Sequence, residues 1–354
     1  MNLPRVNRFR IVHVSEALAL AGALLIGALL VSSSEAAVAA QPSLSRPHPA
    51  RVPFNNPLAV ASDGTHVWVV DGGSDSVTEL SAKTGGLVRA IDGPSYKFKY
   101  PLAIVSDGTH VWVANAVGNS ITELSAKTGR LVQVINSPSY KFKNPSAVSS
   151  DGTHVWVANS AGDSVTEFSA KTGRLVQVIN SPSYKFNVPA RVASDGTHVW
   201  VSNAAGDSVT EFSAKTGRLV QVINSLSYKF NGLSAIASDG THVWVASPAS
   251  DWVTELSAKT GRLVQVIKGP SYKFMYPSTI ASDGTHVWVS NTVGGSVTEL
   301  SAKTGRLVHV INGPSYKFNG LRAVASDGTH VWVVDGTDSV TELSAKTGGL
   351  VRVI

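Results

Sequence analysis

The sequence predicts an all-β chain folded as a seven-bladed β-propeller. Three observations carry this: one 44-residue unit recurs seven times, each unit holds four short β-prone segments, and turn residues bound every segment. The hexapeptide Asp-Gly-Thr-His-Val-Trp begins at Asp63, Asp107, Asp151, Asp195, Asp239, Asp283 and Asp327. In the third unit, Ser146 to Ser150 reads as a first strand, Asp151-Gly152-Thr153 as a turn and His154 to Asn159 as a second strand. A loop over Asn159 to Asp163 leads to a third strand, Ser164 to Ser169, and Ala170 to Gly173 turns the chain into a fourth, Arg174 to Ile179. A four-stranded sheet with strands this short cannot solvate both faces, so the copies must stack on one another. Hairpin-linked units of this length are propeller blades, whereas solenoid coils are shorter and mostly parallel. The last unit ends with its own fourth strand, Leu350 to Ile354, so every blade is contiguous and blade 7 must close against blade 1 by packing alone. Phe54 stands where Phe186 stands in a connector and is expected to dock like it.

Composition narrows the class further. The chain has 354 residues and no cysteine, which excludes a disulfide-stapled miniprotein and a cysteine-ligated metal domain. At 43% hydrophobic and 15% charged it can bury a large core and does not read as disordered. Thirty Lys and Arg against 24 Asp and Glu give +6, enough for weak attraction to anionic polymers without demanding it. Residues 1–40 stand apart: Arg5, Arg8 and Arg10 precede an apolar run from Ala17 to Val31, followed by Ala37-Val38-Ala39-Ala40. This is a secretory signal pattern with cleavage expected after Ala39 or Ala40, and the run is shorter than the roughly 20 residues a membrane span needs. The expected organisation is therefore a signal peptide over 1–40, a leader over 41–56 and a propeller over 57–354, exported and monomeric, with no membrane span after cleavage.

The recurring Pro, short apolar strand, Ser-Asp-Gly, Val-Trp-Val, Gly-Asp or Gly-Asn loop, Ser-Val-Thr-Glu and Lys-Thr-Gly resemble the YVTN-type and NHL-type propeller repeats of exported bacterial proteins over roughly 57–354. The resemblance implies the fold and leaves the activity open, because that superfamily includes binding and scaffolding proteins as well as streptogramin-lyase-like and lactonase-like enzymes.

Residues present in every unit are poor candidates for one asymmetric site, and each has a structural reading. Asp-Gly makes a tight turn in which Asp bonds its own backbone. Trp156 and its six equivalents share a strand face with the preceding His and are expected to form the packing between blades. The ring of His66, His110, His154, His198, His242, His286 and His330 reads as structural hydrogen bonding; if buried and neutral, it would make stability fall as the pH drops through about 6.5. Glu167 and Glu211 are expected to form solvated pairs with Lys171 and Lys215. No metal or cofactor is expected, since Thr and His stand where a calcium loop would need carboxylates.

Asymmetry lies in the departures from the repeat. Arg191 replaces a small residue of an innermost strand, and Arg322 does so one position earlier in the last unit, so both can reach a central channel. Trp252 stands where other units have Ser, and Asp71 and Asp335 stand where four units have Asn. Together these five residues are the candidate ligand-binding mouth, on the face formed by the connectors and the loops between second and third strands. Tyr96, Tyr140, Tyr184, Tyr228, Tyr272 and Tyr316 accompany Lys97, Lys141, Lys185, Lys229, Lys273 and Lys317, either pinning the connectors or forming a basic aromatic rim for glycans, anionic polymers or single-stranded nucleic acid. The leading expectation is an exported binding or interaction module for a protein, glycan or anionic polymer. The alternatives are a nonspecific polyanion or nucleic-acid binder and a lyase-like or lactonase-like enzyme. A lyase would need an asymmetric His and Glu pair, and His309, in a fourth strand, shows no partner in the sequence.

Overall fold

Seven consecutive hairpin-linked units fold as seven separate four-stranded antiparallel sheets, each in simple sequence order from first to fourth strand. The computed structural model describes residues 54–354, so the signal-peptide reading and most of the leader lie outside the described residues. The blades run Pro57–Ile91, Pro101–Ile135, Pro145–Ile179, Pro189–Ile223, Ala235–Ile267, Pro277–Ile311 and Ala323–Val353. In blade 3 the strands are Pro145–Ser150, His154–Asn159, Ser164–Ser169 and Leu175–Ile179, within one residue of the expected bounds. Five connectors add a single 3-10 turn, such as Pro182–Tyr184, that sequence reading did not anticipate. Among the described residues no helix is long and apolar enough to cross a membrane.

Period-two alternation decides the packing. Val155 and Val157 face the preceding blade and contact the indole of Trp112, while Trp156 faces the following one. All seven repeat Trp side chains are fully buried. Trp156 meets the ring of Phe212 edge-on at 5.4 Å between centroids, a favoured aromatic geometry. A polar latch runs beside this apolar layer. The Asp of each Asp-Gly turn accepts two of its own backbone N–H groups, as Asp151 does from Thr153 and His154 at 2.8 and 2.7 Å. Its second oxygen takes a hydroxyl from the next blade, as when Ser150 donates to Asp107 at 3.2 Å, and six of the seven interfaces carry this bond.

Closure uses the same elements without a shared strand. Phe54 is buried beside Val60, Ala323, Trp332 and Val340, so it docks as a connector Phe would. Ser62 donates to Asp327 at 2.6 Å and the Asn56 amide to Asp338 at 2.8 Å, repeating across the last interface the bonds seen elsewhere.

The repeated Glu residues are not solvated partners of Lys. Glu167 is 2% exposed and lies in register with Trp156 and Gln177, from which it accepts a hydrogen bond at 2.6 Å. Its other oxygen is 3.8 Å from Nε2 of His154, whose Nδ1 is 3.4 Å from Asp151. Burial pushes the Glu167 carboxyl above its ordinary pKa, while Gln177 and His154 pull it back. The ladder, not sequence proximity to Lys171, selects the partner. The His rings are also not buried: between 20% and 27% of each is exposed, and each sits between two carboxylates, so the condition for the expected acid sensitivity is not met.

Candidate functional site

The first strands of successive blades touch one another around the ring and enclose a central cavity of about 160 Å³. Most of its lining side chains are apolar, with Leu58, Leu102 and a belt of Val and Ile from all seven first strands, while Thr279, Arg191, Arg322 and backbone groups make the rest polar. No carboxylate or imidazole of the described residues lines it.

The two guanidinium groups differ in what they already hold. Arg322 donates from Nη1 to Asn56 Oδ1 and lies 3.5 Å from the Pro57 carbonyl, so it ties blade 7 to the entry of blade 1. Arg191 donates only to the carbonyl of its neighbour Ala190, at 2.9 Å. Burial holds the Arg191 guanidinium below its ordinary pKa, and no charged group opposes that effect. Arg191 is half-buried and has no counter-charge of its own, so an anion in the cavity would supply one.

The structure does not bring the other three candidates to this cavity. Trp252 opens the third strand of blade 5, two strands outward of the channel wall, and Lys268 Nζ covers its ring at 5.0 Å from the centroid. Asp71 is 1% exposed; it accepts from the Thr78 hydroxyl at 2.9 Å and faces the Asn55 amide at 3.4 Å. Burial pushes its pKa up to about 6, with Thr78 and Asn55 pulling it down and Asp338 adding to the rise. Asp335 is equally buried and accepts from the Thr337 amide, the Thr337 hydroxyl and the Ser339 hydroxyl, each at 2.8 Å. Both replace an Asn that braces the loop in other blades, as Asn159 does by donating to Thr166 at 3.0 Å.

Sequence reading missed two partnerships. Lys268 occupies the connector position where most units have Asn, and its contact with Trp252 follows from those two departures lying in the same blade. His309 does have a partner: Nδ1 lies 2.9 Å from Glu299 Oε2, because His309 stands opposite Glu299 in the ladder, where blades 2 to 5 have Gln. This asymmetric pair sits mid-strand on the outer half of blade 6, not in the channel lining. Among the described residues no cluster of His, Cys, Asp or Glu is arranged to hold a metal ion.

The connector aromatics are engaged rather than displayed. Tyr140 donates its hydroxyl to the Gly173 carbonyl at 2.6 Å and accepts from the Leu175 amide at 3.0 Å, and Tyr184 repeats both bonds one blade on. The six adjacent Lys residues are exposed. What remains at the rim is the charge of these lysines, together with the half-buried ring of Phe186 and the exposed rings of Tyr100 and Tyr276.

Fold and channel together define a seven-bladed propeller with a small central cavity that carries two arginines. The family described as "Lactonase, 7-bladed beta-propeller" matches residues 34–229, more than half the chain, and the protein belongs to that family. No curated protein matches the chain. Among solved structures, virginiamycin B lyase from Staphylococcus aureus, in a catalytically inactive form with quinupristin, is similar with a TM-score of 0.68 at 14% identity, over 82% of this chain and 97% of that one. Hydrazine synthase of Kuenenia stuttgartiensis is similar with a TM-score of 0.66 at 16% identity, over 86% and 99%. The computationally designed Ika8 protein is similar with a TM-score of 0.59 at 16% identity, over 84% and 86%. A lyase, a synthase and a designed protein on one architecture share the fold alone, so the site must carry the function.

Proposed function

We propose that the protein is an exported binding module that takes a small acidic ligand at its central channel, with Arg191 as the counter-charge. The observation that carries this reading is the Arg191 guanidinium, set among mostly apolar side chains with one carbonyl as its only protein partner. Arginine presents a planar fork of donors that matches a carboxylate, and burial strengthens that pairing relative to water. The size of the cavity favours a small carboxylate over a polymer chain. Export rests on the order of basic, apolar and small residues over 1–40.

Family membership favours a second reading, lactone chemistry, in which Arg191 would hold the carboxylate of an opened ring. That reaction needs a general base within hydrogen-bond reach of the attacking water. The repeated His and Glu groups face one another within each blade, away from the channel, and the cavity lining offers no base, which supports binding over turnover. The test is calorimetric titration with malonate and citrate. Saturable binding that weakens at least about tenfold in Arg191→Ala supports the assignment, since a charge-assisted bond is worth about 1.5–3 kcal/mol. Identical isotherms for wild type and Arg191→Ala would remove it.

A further inference from the structure

A groove of about 640 Å³ lies between blades 3 and 4 and shares no lining residue with the channel. Its walls carry three carboxamides, Asn180, Asn187 and Asn224, together with Asp163, Lys185 and the ring of Phe186. Asp163 accepts the Val188 amide at 2.8 Å and the Asn187 amide meets Asn203 Oδ1 at 3.3 Å, so the connector forming one wall is held by both blades. Among the described residues none of the three carboxamide groups has a hydrogen-bond partner, which leaves their donors and acceptors for a ligand.

The groove is unlike its symmetry mates. Each blade junction places three equivalent residues around the corresponding space: the residue after one fourth strand, a connector residue, and the residue after the next fourth strand. They are Asp92, Lys99 and Asn136 at the first junction, and Asn136, Lys143 and Asn180 at the second. Lys268 enters at the fourth and fifth, with Met275 also at the fifth; the sixth has Asn312 and Asn319, and Ile354 there is the fourth-strand equivalent of Ile311 rather than a third member. Among the junctions whose three positions all fall in the sequence, that of blades 3 and 4 alone assembles three asparagines.

We propose that this groove binds a neutral oligosaccharide, with Asn180, Asn187 and Asn224 addressing its hydroxyls and Phe186 meeting the apolar face of a sugar ring. A carboxamide both donates and accepts, which is what adjacent hydroxyls require, since each of them also does both. Asp163 and Lys185 carry opposite charges, so the groove has no net charge to select an anion. Its volume falls in the range of small-ligand sites and accommodates two or three sugar rings. An aromatic ring beside convergent polar groups supplies orientation as well as apolar contact.

The test is calorimetric titration of the full chain with maltotriose, cellotriose and chitotriose, each alone. Saturable binding of at least one is expected, weakened about tenfold or more by Asn187→Lys, as loss of a hydrogen bond and filling of the groove would do. The fold accepts lysine there, because Lys99 and Lys143 occupy the equivalent connector position, and an unchanged unfolding temperature verifies that the variant is intact. Asn231→Lys, the same change one connector on, is expected to bind as wild type. Absence of saturable binding by all three sugars, or equal affinity in Asn187→Lys, overturns the proposal. Sugar binding abolished by Arg191→Ala but retained in Asn187→Lys would place the sugar in the channel and also overturn it. The groove stands if carboxylates fail to bind at Arg191, so the two sites are judged separately.

Discussion

Replacing Asp71 by Asn should stabilise the protein near neutral pH. Asn already occupies the equivalent position at Asn115, Asn159, Asn203 and Asn291, where its Nδ2 donates to the loop Ser and Thr hydroxyls. In blade 1 the same pocket holds a carboxylate that is 1% exposed, and burial, its largest influence, raises its pKa from 3.8 to about 6. At about 1.4 kcal/mol for each tenfold change in proton affinity, keeping that group ionised at pH 7 costs the fold about 3 kcal/mol. The raised value already includes the favourable bond from Thr78, so the expected gain is about 3 kcal/mol. The sign of the pH dependence follows from the raised folded-state value: the contribution of Asp71 is fully present below 3.8 and is lost as the pH rises through about 6. The advantage of Asp71→Asn should therefore be largest at pH 7 and shrink toward zero near pH 4. Glu79, Glu123, Glu167, Glu211, Glu255 and Glu342, whose carboxyls burial also raises, are common to both proteins and cancel in the difference. Urea unfolding followed by Trp fluorescence at pH 7 and pH 4 measures this directly. A destabilised Asp71→Asn at pH 7, or an equal difference at both pH values, would refute the reasoning.

Two further substitutions probe the blade and its connector. Trp156→Ala should cost about 3–5 kcal/mol, because the indole is fully buried between two sheets and the closed ring limits collapse around the void; a loss below about 1 kcal/mol in urea would mean the blades do not pack through it. Val188 has φ of 51°, a left-handed conformation that disfavours a β-branched residue, whereas Gly232 and Gly320 occupy the equivalent position and Asn144 adopts it at the same angle. Val188→Asn should raise stability by about 1 kcal/mol, seen as a higher unfolding temperature, and a lower one would contradict the strain assigned to this residue.

Strand bounds were legible because Asp-Gly, Lys-Thr-Gly and Asn punctuate short alternating segments, and these residues make the same turns in all seven blades. Closure was legible because the last unit ends with its own fourth strand and Phe54 copies a connector Phe. The partner of the repeated Glu was not, because Lys171 lies four residues from Glu167 in sequence while Gln177 and His154 meet it through the ladder and the shared sheet face. The same limit hid the pairing of His309 with Glu299. Arg191 and Arg322 both line the channel, beside the Val and Ile of their own first-strand segments. Asp71, Asp335 and Trp252 were grouped with them because a departure from a repeat reveals that a position changed, not which way its side chain points. Burial and hydrogen bonding take both aspartates out of contact with the channel, and strand order removes the tryptophan.

The claim that Arg191 awaits an anion is tested most directly by a crystal structure of the protein grown with malonate. The account predicts a carboxylate in the central cavity with its oxygens on the Arg191 guanidinium, present in wild type and missing from Arg191→Ala crystals grown identically. A central cavity holding only water beside Arg191 at saturating malonate, or malonate bound at the exposed connector lysines instead, would contradict it.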